Sequence, residues 1–427
     1  MTRDSFTNDE QMTKVRELLK DKNFSLLWIG QIISNFGDRL NQMALIGLIY
    51  ARTPGSTIEL AKLLSFVIIP VFLIGPIAGI YVDRWNRKYT MIACDLLRAL
   101  MVLFIAFTIT YSRNMIPVYI LVFITFSITR FFVPSKFSII PDIVHKDRLL
   151  LANSLTTTTM MIDAIIGFGF GGLIVARLGA RGGFCLDSAT YLISALMISF
   201  VSLRFKQPRA VFPARERLRK LIKKTVIGDI REGILYLKSH KDIRMIANTM
   251  FLLMAGVGSI YIIIIVFVQE TLGSSTEHLG FLAMFLGAGL FLGSILYGRF
   301  GTRLCKKKVI NAGLSITGLV IVIFAIVLKL YPFFFIAALL FIVIGISASP
   351  IAISCNTLLH EVMLDEMRGR IFSSMEVIMH IGFLIFMVLT SLVAEQVSKG
   401  LLLVAIGLVF SIIGLVRLAR GIKEENR

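Results

Sequence analysis

Within one apolar stretch, residues 24–50, four polar side chains recur at Gln31, Asn35, Asp38 and Gln42. Their spacing places them on a single stripe of a helix. Such a stripe can hydrogen-bond a solute, and a carboxyl group in it can bind and release a proton. Bonding between helices is the purely structural reading of the same residues. Arg39 points about 100° away from Asp38 and toward another partner. Arg130 and Asp163 occupy two further apolar stretches. At 1.5 Å per residue, Asp38 lies about 21 Å from Phe24, Asp163 about 20 Å from Leu150 and Arg130 about 15 Å from Ile140. The three are thus comparable in depth, and a long Arg130 side chain could bridge the offset if the helices adjoin. Glu376 and His380 share one helical face, and an imidazole titrates near neutral pH. A histidine bonded within the packing reads equally well. Asp95 and Arg98, three residues apart, read as a structural pair. Asn356 and His360 read as interfacial.

Other chemistries find little support. No Walker A string is present, and no serine-hydrolase elbow. His360-Glu361 lacks the second histidine of a zinc protease, with Leu364 in its place. Cys94, Cys185, Cys305 and Cys355 are scattered without a CxxC pair, so they read as apolar filler. Gly167-Phe168-Gly169-Phe170-Gly171-Gly172 fits the GxGxxG pattern, but no strand precedes it, which argues against a dinucleotide site. Neither an enzyme nor a cofactor nor a metal is expected.

The elements that must position these groups follow from hydropathy. Of 427 residues, 56% are hydrophobic, and the mean hydropathy is +0.82. Twelve apolar runs cover 24–50, 60–82, 89–110, 115–140, 150–177, 183–203, 243–268, 278–299, 309–329, 331–354, 370–393 and 399–417. Roughly 20 apolar residues span a bilayer as a helix, which satisfies its own backbone. The expected fold is an all-α membrane protein of twelve transmembrane helices. Residues 1–23 are charged and do not read as a cleavable signal. The formal charge of +19 could suggest nucleic acid. However, most of the Lys and Arg fall on alternate loops, including both termini and the interval 204–242, so the surplus reads as topology with both termini cytoplasmic. Attraction to anionic lipid adds to it. Residues 204–242 read as a basic linker containing an amphipathic helix, with Ile227, Ile230, Ile234 and Leu237 on one stripe. They separate residues 1–203 from 243–427, six helices each.

A weak repeat supports that division. At one constant offset Gly79 meets Gly298, Arg84 meets Arg303, Arg87 meets Lys306 and Lys88 meets Lys307, while Asp83 meets Thr302. Parallel six-helix repeats are a transporter architecture. The first copy resembles the loop motif of the major facilitator superfamily, Gly-x-x-x-Asp-Arg-x-x-Arg-Lys, at Gly79, Asp83, Arg84, Arg87 and Lys88. The resemblance implies a conformational gate. Asp83 would bond helix amides or a basic group of the other half, while Arg84 and Arg87 stay at the lipid surface. A basic loop that only orients the chain is the alternative. Gly167, Gly171 and Gly172 resemble the Gly-Pro-x-x-Gly-Gly motif of the exporter branch, with Phe168 replacing Pro. Close helix packing is implied, and the missing Pro leaves a kink open.

Further stretches are similar to the drug:proton antiporter family of macrolide-efflux proteins and the enterobactin exporter. They are Asn35-Phe36-Gly37-Asp38, Asp95-Leu96-Leu97-Arg98, Phe132-Val133-Pro134-Ser135-Lys136, Ala152-Asn153-Ser154-Leu155, Arg231-Glu232-Gly233 and Arg368-Gly369-Arg370. Phe36-Gly37-Asp38 and Pro134-Ser135-Lys136-Phe137 also resemble a lysophospholipid transporter. The expectation is a monomeric, multi-pass carrier of the bacterial cytoplasmic membrane. It would export an amphipathic or hydrophobic small molecule by alternating access, driven by protons or, alternatively, sodium. A lysophospholipid flippase and a non-transporting receptor or scaffold are the competing readings.

Overall fold

The computed structural model describes residues 15–82, 85–203, 241–273, 276–301, 304–362 and 368–425. Its elements are helices: α1 (Lys22–Arg52), α2 (Thr57–Leu73), α3 (Gly75–Val82), α4 (Arg87–Tyr111), α5 (Ile116–Ile143), α6 (Leu149–Ser199), α7 (Lys241–Leu272), α8 (Glu277–Phe300), α9 (Lys306–Leu330), α10 (Phe334–Val362), α11 (Arg368–Ala394) and α12 (Lys399–Glu425). A single 3₁₀ turn, Lys146–Arg148, precedes α6. No strand occurs among the described residues. The linker residues 204–240 lie outside them.

Three apolar runs differ from their simple reading. Run 60–82 is two helices: α2 continues through Pro70 to Leu73, the chain turns at Ile74, and Pro76 lacks the N–H that would carry the ladder of α2 onward. Runs 150–177 and 183–203 belong to one helical stretch, α6, interrupted only at Gly179 with φ 72° and ψ 173°. A continuous helix of that length would reach about 77 Å, more than twice the hydrocarbon thickness. The positive φ, cheap only for glycine, divides it.

Among the described residues, nine helical stretches are long and apolar enough to cross a membrane. α1 is not one of them because its polar stripe dilutes it, and α2 at 17 residues is too short alone. α4 shows the inside-out logic. Leu96, Leu100, Leu103, Phe104 and Phe107 form its exposed face, while Asp95, Arg98, Val102 and Ile105 are buried. Many large apolar side chains are exposed in this way on the other helices. That surface is tolerable in hydrocarbon and costly in water. Hydroxyls within the spans bond back to their own helix, as Thr125 does to Leu121, Ser135 to Phe131, Ser259 to Ala255 and Thr271 to Phe267.

The chain forms two compact units. The first comprises Met1–Ala44, Ile69–Gly167 and Leu178–Pro213; the second comprises Leu45–Ile68, Phe168–Arg177 and Ala214–Arg427. In the first, α4 packs along α5 and α3 against α5. Its apolar core includes Phe24, Leu27, Met91, Phe132, Ile139, Ile140 and Ile198. In the second, α9 packs along α12, α8 along α10 and α7 along α11. Glycines set the closest of these crossings: a Cβ at Gly289 would lie 2.3 Å from the Ile342 carbonyl, and one at Gly318 2.5 Å from that of Gly407.

Candidate functional site

The first unit carries a connected set of buried polar groups. α4 supplies Asp95 and Arg98, both fully buried and joined in an ion pair. The second acceptor of Asp95 takes a hydrogen bond from Ser194 Oγ at 2.8 Å. The Arg98 guanidinium lies over the rings of Phe132 and Tyr191, 4.1 and 4.3 Å from their centroids. Its Nη1 also lies 4.0 Å from Asp38 Oδ1, and Tyr191 donates its hydroxyl to the same oxygen. Asp38 retains 31% side-chain exposure against 1% for Arg98. Of the two acids beside this guanidinium, Asp38 is the accessible one.

One turn further on, Asn41 Nδ2 donates to Asp187 Oδ2 at 2.6 Å, and Thr190 Oγ1 lies 3.4 Å from Asp187 Oδ1. Asp187 is wholly buried. Gly37 permits this approach of α1 to α6, since a Cβ there would lie 1.9 Å from Thr190 Oγ1 and 2.5 Å from Asp187 Oδ1. A second contact of α1 with α6 runs through Trp28 Nε1 to Thr159 Oγ1 at 3.1 Å and Asn35 Nδ2 to Asp163 Oδ2 at 3.4 Å. Lys136 of α5 reaches the same turn of α6. It is 3% exposed, and its Nζ lies 3.4 Å from Met160 Sδ.

The residues singled out by sequence distribute as follows. Asn35, Asp38 and Asp163 join these contacts, with Arg98 the cation beside Asp38 where the depth argument points to Arg130. Gln31 is buried, and neither atom of its amide has a hydrogen-bond partner among the described residues. Gln42 accepts from Arg39 Nη1 at 3.0 Å. Arg130 lies midway along α5. His380 Nδ1 is 2.8 Å from the main-chain carbonyl of Glu376, so the ring meets the helix backbone and not the carboxylate.

Asp83 and Arg84 lie outside the described residues. Gly79 is helical with open space at its Cβ position. Arg87 is held against α5: it donates to Asp142 Oδ2 at 2.9 Å and to the Ser138 carbonyl at 2.8 Å. The C-terminal turn of α5 offers that acid and a carbonyl together, a better environment for a guanidinium. Lys88 Nζ donates at 2.7 Å to the Ser199 carbonyl at the C-terminus of α6. A Cβ at Gly167 would press on Arg39 Cγ at 2.8 Å.

The second unit joins early and late helices at one end. A Cβ at Gly172 of α6 would lie 2.5 Å from the Thr276 carbonyl and 2.9 Å from Gly280 Cα, and Thr276 Oγ1 donates to the Gly172 carbonyl. Gly171 is buried beside it. Glu395, just beyond α11, accepts from Ser56 Oγ at 3.0 Å, Thr57 Oγ1 at 3.3 Å and Ile58 N at 3.1 Å, which caps α2 from another helix. Burial alone would lift its carboxyl, but these donors outweigh it and hold the group below the usual carboxylate range. Lys399 pairs with Glu270 nearby at 2.8 Å.

Asn41, Asp187 and Tyr191 were not singled out by sequence, and Lys136 entered only within two stretches of family resemblance, without a site role. Lys136 and Asp187 do carry a signal, a charge inside an apolar run. Asn41 and Tyr191 carry none, because their value lies in partners on other helices.

Buried charge on helices whose outward faces are apolar marks a multi-pass membrane protein with a functional polar site. Comparison with known proteins agrees and gives the family. Residues 17–424 match the model of the transmembrane secretion effector family, MFS_3, and the chain belongs to this family of major facilitator transporters. It is 26% identical to the MFS-type transporter YkuC of Bacillus subtilis (strain 168), over 83% of this chain and 81% of that one. Macrolide efflux protein A of Streptococcus pyogenes is 23% identical over 92% and 96%. The putative bacilysin exporter BacE of Bacillus subtilis is 23% identical over 78% and 79%. The fold is similar to the crystal structure of a bacterial homologue of the iron transporter ferroportin in its inward-facing state, with TM-score 0.69, 13% identity and coverage of 92% and 98%.

Proposed function

We propose that this transporter exports an amphipathic or hydrophobic small molecule by alternating access, with proton entry as the driving force. The observation that carries the reading is the site around Asp38: one partly accessible carboxyl beside a guanidinium already engaged by Asp95. A change in helix packing that moves Arg98 or water relative to this carboxyl group is the step by which, in this proposal, it takes up and releases one proton per cycle. The export direction draws on the efflux relatives. The proposal includes twelve spanning helices in two six-helix bundles, 1–203 and 243–427, joined by 204–242. Here α2 and α3 count as one span and α6 as two. Both termini face the cytoplasm of a bacterial cell, and the chain works as a monomer in its lipid. Gly79, Asp83, Arg84, Arg87 and Lys88 act as the cytoplasmic gate. Gln31, Asn35, Gln42, Arg130, Asp163, Glu376 and His380 complete the set of cavity and coupling residues.

A lysophospholipid flippase is the second reading. It is favoured by an apolar groove of about 260 Å³ lined by Ile58, Ala61, Phe66, Val388 and Leu392, with Lys62 among its polar neighbours. The test is flux in proteoliposomes under imposed pH and sodium gradients, with a macrolide, a siderophore and a lysophospholipid as probes. Asp38→Asn is expected to abolish flux driven by the pH gradient while binding remains measurable and exchange is less affected. Full gradient-driven flux in that variant would remove Asp38 from coupling and shift suspicion to Asp163 or to Glu376 with His380. Absence of flux of any probe under any gradient would favour a receptor or scaffold.

A further inference from the structure

Lys136 is the anomaly of the first unit. Its side chain is 3% exposed, in the interior of α5, yet among the described residues no oxygen accepts from its Nζ. The hydrogen-bond partner found is the thioether of Met160 at 3.4 Å, a weak acceptor. The nearest aromatic contact is with Phe137, whose ring centroid lies 5.4 Å away. No carboxylate stands within ion-pairing distance of it among the described residues, although Asp38, Asp163 and Asp95 all attract it from further off and Arg98 repels it. A buried ammonium is normally paired and fully hydrogen-bonded. Here the acids that could pair with it are engaged elsewhere: Asp95 by Arg98 and Ser194, Asp38 by Tyr191, and Asp163 by Asn35.

The surroundings suit a ligand. Lys136 meets Met160 on the same turn of α6 that meets α1 through Trp28–Thr159 and Asn35–Asp163. One turn before Asn35 on α1 stands Gln31, also buried, with both amide atoms unpartnered among the described residues. Among the described residues, a cation without an oxygen acceptor and an amide without any partner therefore lie along helices that converge on one stretch of α6. An oxyanion supplies what they lack: acceptors for the ammonium and for an amide N–H.

We propose that Lys136 receives the acidic group of the transported compound, a carboxylate or phosphate carried on an apolar body. The proposal rests on the transporter reading above and narrows its substrate class. It assigns Lys136 to specificity and leaves proton coupling to Asp38.

The test is calorimetric binding to the purified full chain in detergent, so its outcome does not depend on flux. The probes are N-dodecanoylglycine, its methyl ester and dodecanoyl lysophosphatidic acid. They share one tail and differ in the head. The parent is expected to bind at least one acidic probe roughly tenfold or more tightly than the ester, the scale of one charge-assisted hydrogen bond. A preference confined to N-dodecanoylglycine identifies a carboxylate solute, and one confined to the lysophosphatidate identifies a lipid head group. Lys136→Met should erase the acid-to-ester ratio without changing ester affinity, and Lys136→Arg should keep most of it. If Lys136→Met does not fold, Lys136→Gln takes its place. Equal binding of acid and ester by the parent, or a ratio that survives removal of the ammonium, would overturn the proposal. Acid-selective binding without flux in proteoliposomes would retain the anion site and remove the transporter reading instead.

Discussion

Arg98 shows how much of a residue's role its neighbours in sequence disclose. The spacing of Asp95 and Arg98 is enough to anticipate their pairing, and the structure makes the pair. Nothing in that spacing announces the Phe132 and Tyr191 rings against the guanidinium, or Asp38 near it. Those contacts come from other helices; the Tyr191–Asp38 bond alone joins residues 153 apart. Asp187 and Lys136 could have been flagged as charges in apolar runs. Both sit close to a run's end, where charge is ordinary, and only tertiary packing shows them buried. Removing one partner of a buried pair leaves the other uncompensated, at a cost of about 3–5 kcal/mol. Arg98→Met should therefore lower the unfolding midpoint of the detergent-solubilised protein substantially. Adding Asp95→Asn to it should recover a good part, because the unpaired acid is then gone. Thermal unfolding of the two single variants and the double variant measures this coupling, and strictly additive losses would contradict it.

The helices themselves were largely legible, because twenty-residue apolar runs have few other uses in a bilayer. Their interruptions were less so. Pro76 within one run warns of the break at Ile74, whereas Gly179 looks like any other glycine until its positive φ is seen. Glycine packing illustrates the same limit. The string from Gly167 to Gly172 suggests close approach, but not that Gly172 meets Thr276 and Gly280 of α8. A Cβ at Gly172 would press on backbone, which cannot rotate aside. Gly172→Ala should cost about 1–3 kcal/mol through separation of α6 from α8, read as a lowered midpoint, whereas Gly79→Ala, into open space, should not.

The cap of α2 by Glu395 gives this scale a pH dependence. Its carboxyl is held below the ordinary range in the folded chain. Its contribution is therefore fully present above the unfolded value, near 4.3, and is lost as pH falls through the folded value. Glu395→Gln should cost about 1 kcal/mol at neutral pH, the usual worth of a helix cap. The midpoints of parent and variant should converge on acidification below pH ~4. A gap that stays constant with pH would dissociate Glu395 from the ionised cap.

At the scale of the whole molecule, the question is which way the chain faces, and there charge speaks more clearly than packing. Lys and Arg concentrate on alternate loops, which include both termini and the interval 204–242. Translocating such loops is unfavourable, so they should remain cytoplasmic. The helix order gives the opposite side to the turn between α9 and α10, where Tyr331 and Phe333 are exposed. It gives the same side to Lys399 at the start of α12, although the pairing of Lys399 with Glu270 leaves only 18% of its side chain exposed. Tyr331 is thus the better reporter for labelling. In a background without the four native cysteines, Tyr331→Cys should react with a membrane-impermeant maleimide in intact cells, and Lys399→Cys should react more slowly. Lys223→Cys should be protected until the membrane is permeabilised. Reaction at Lys223 with protection at Tyr331 would invert the topology. The export direction would then have to be re-argued, because the proton gradient would meet Asp38 from the other face. Reaction at both positions in intact cells would break the alternation of loops and, with it, the count of twelve spans.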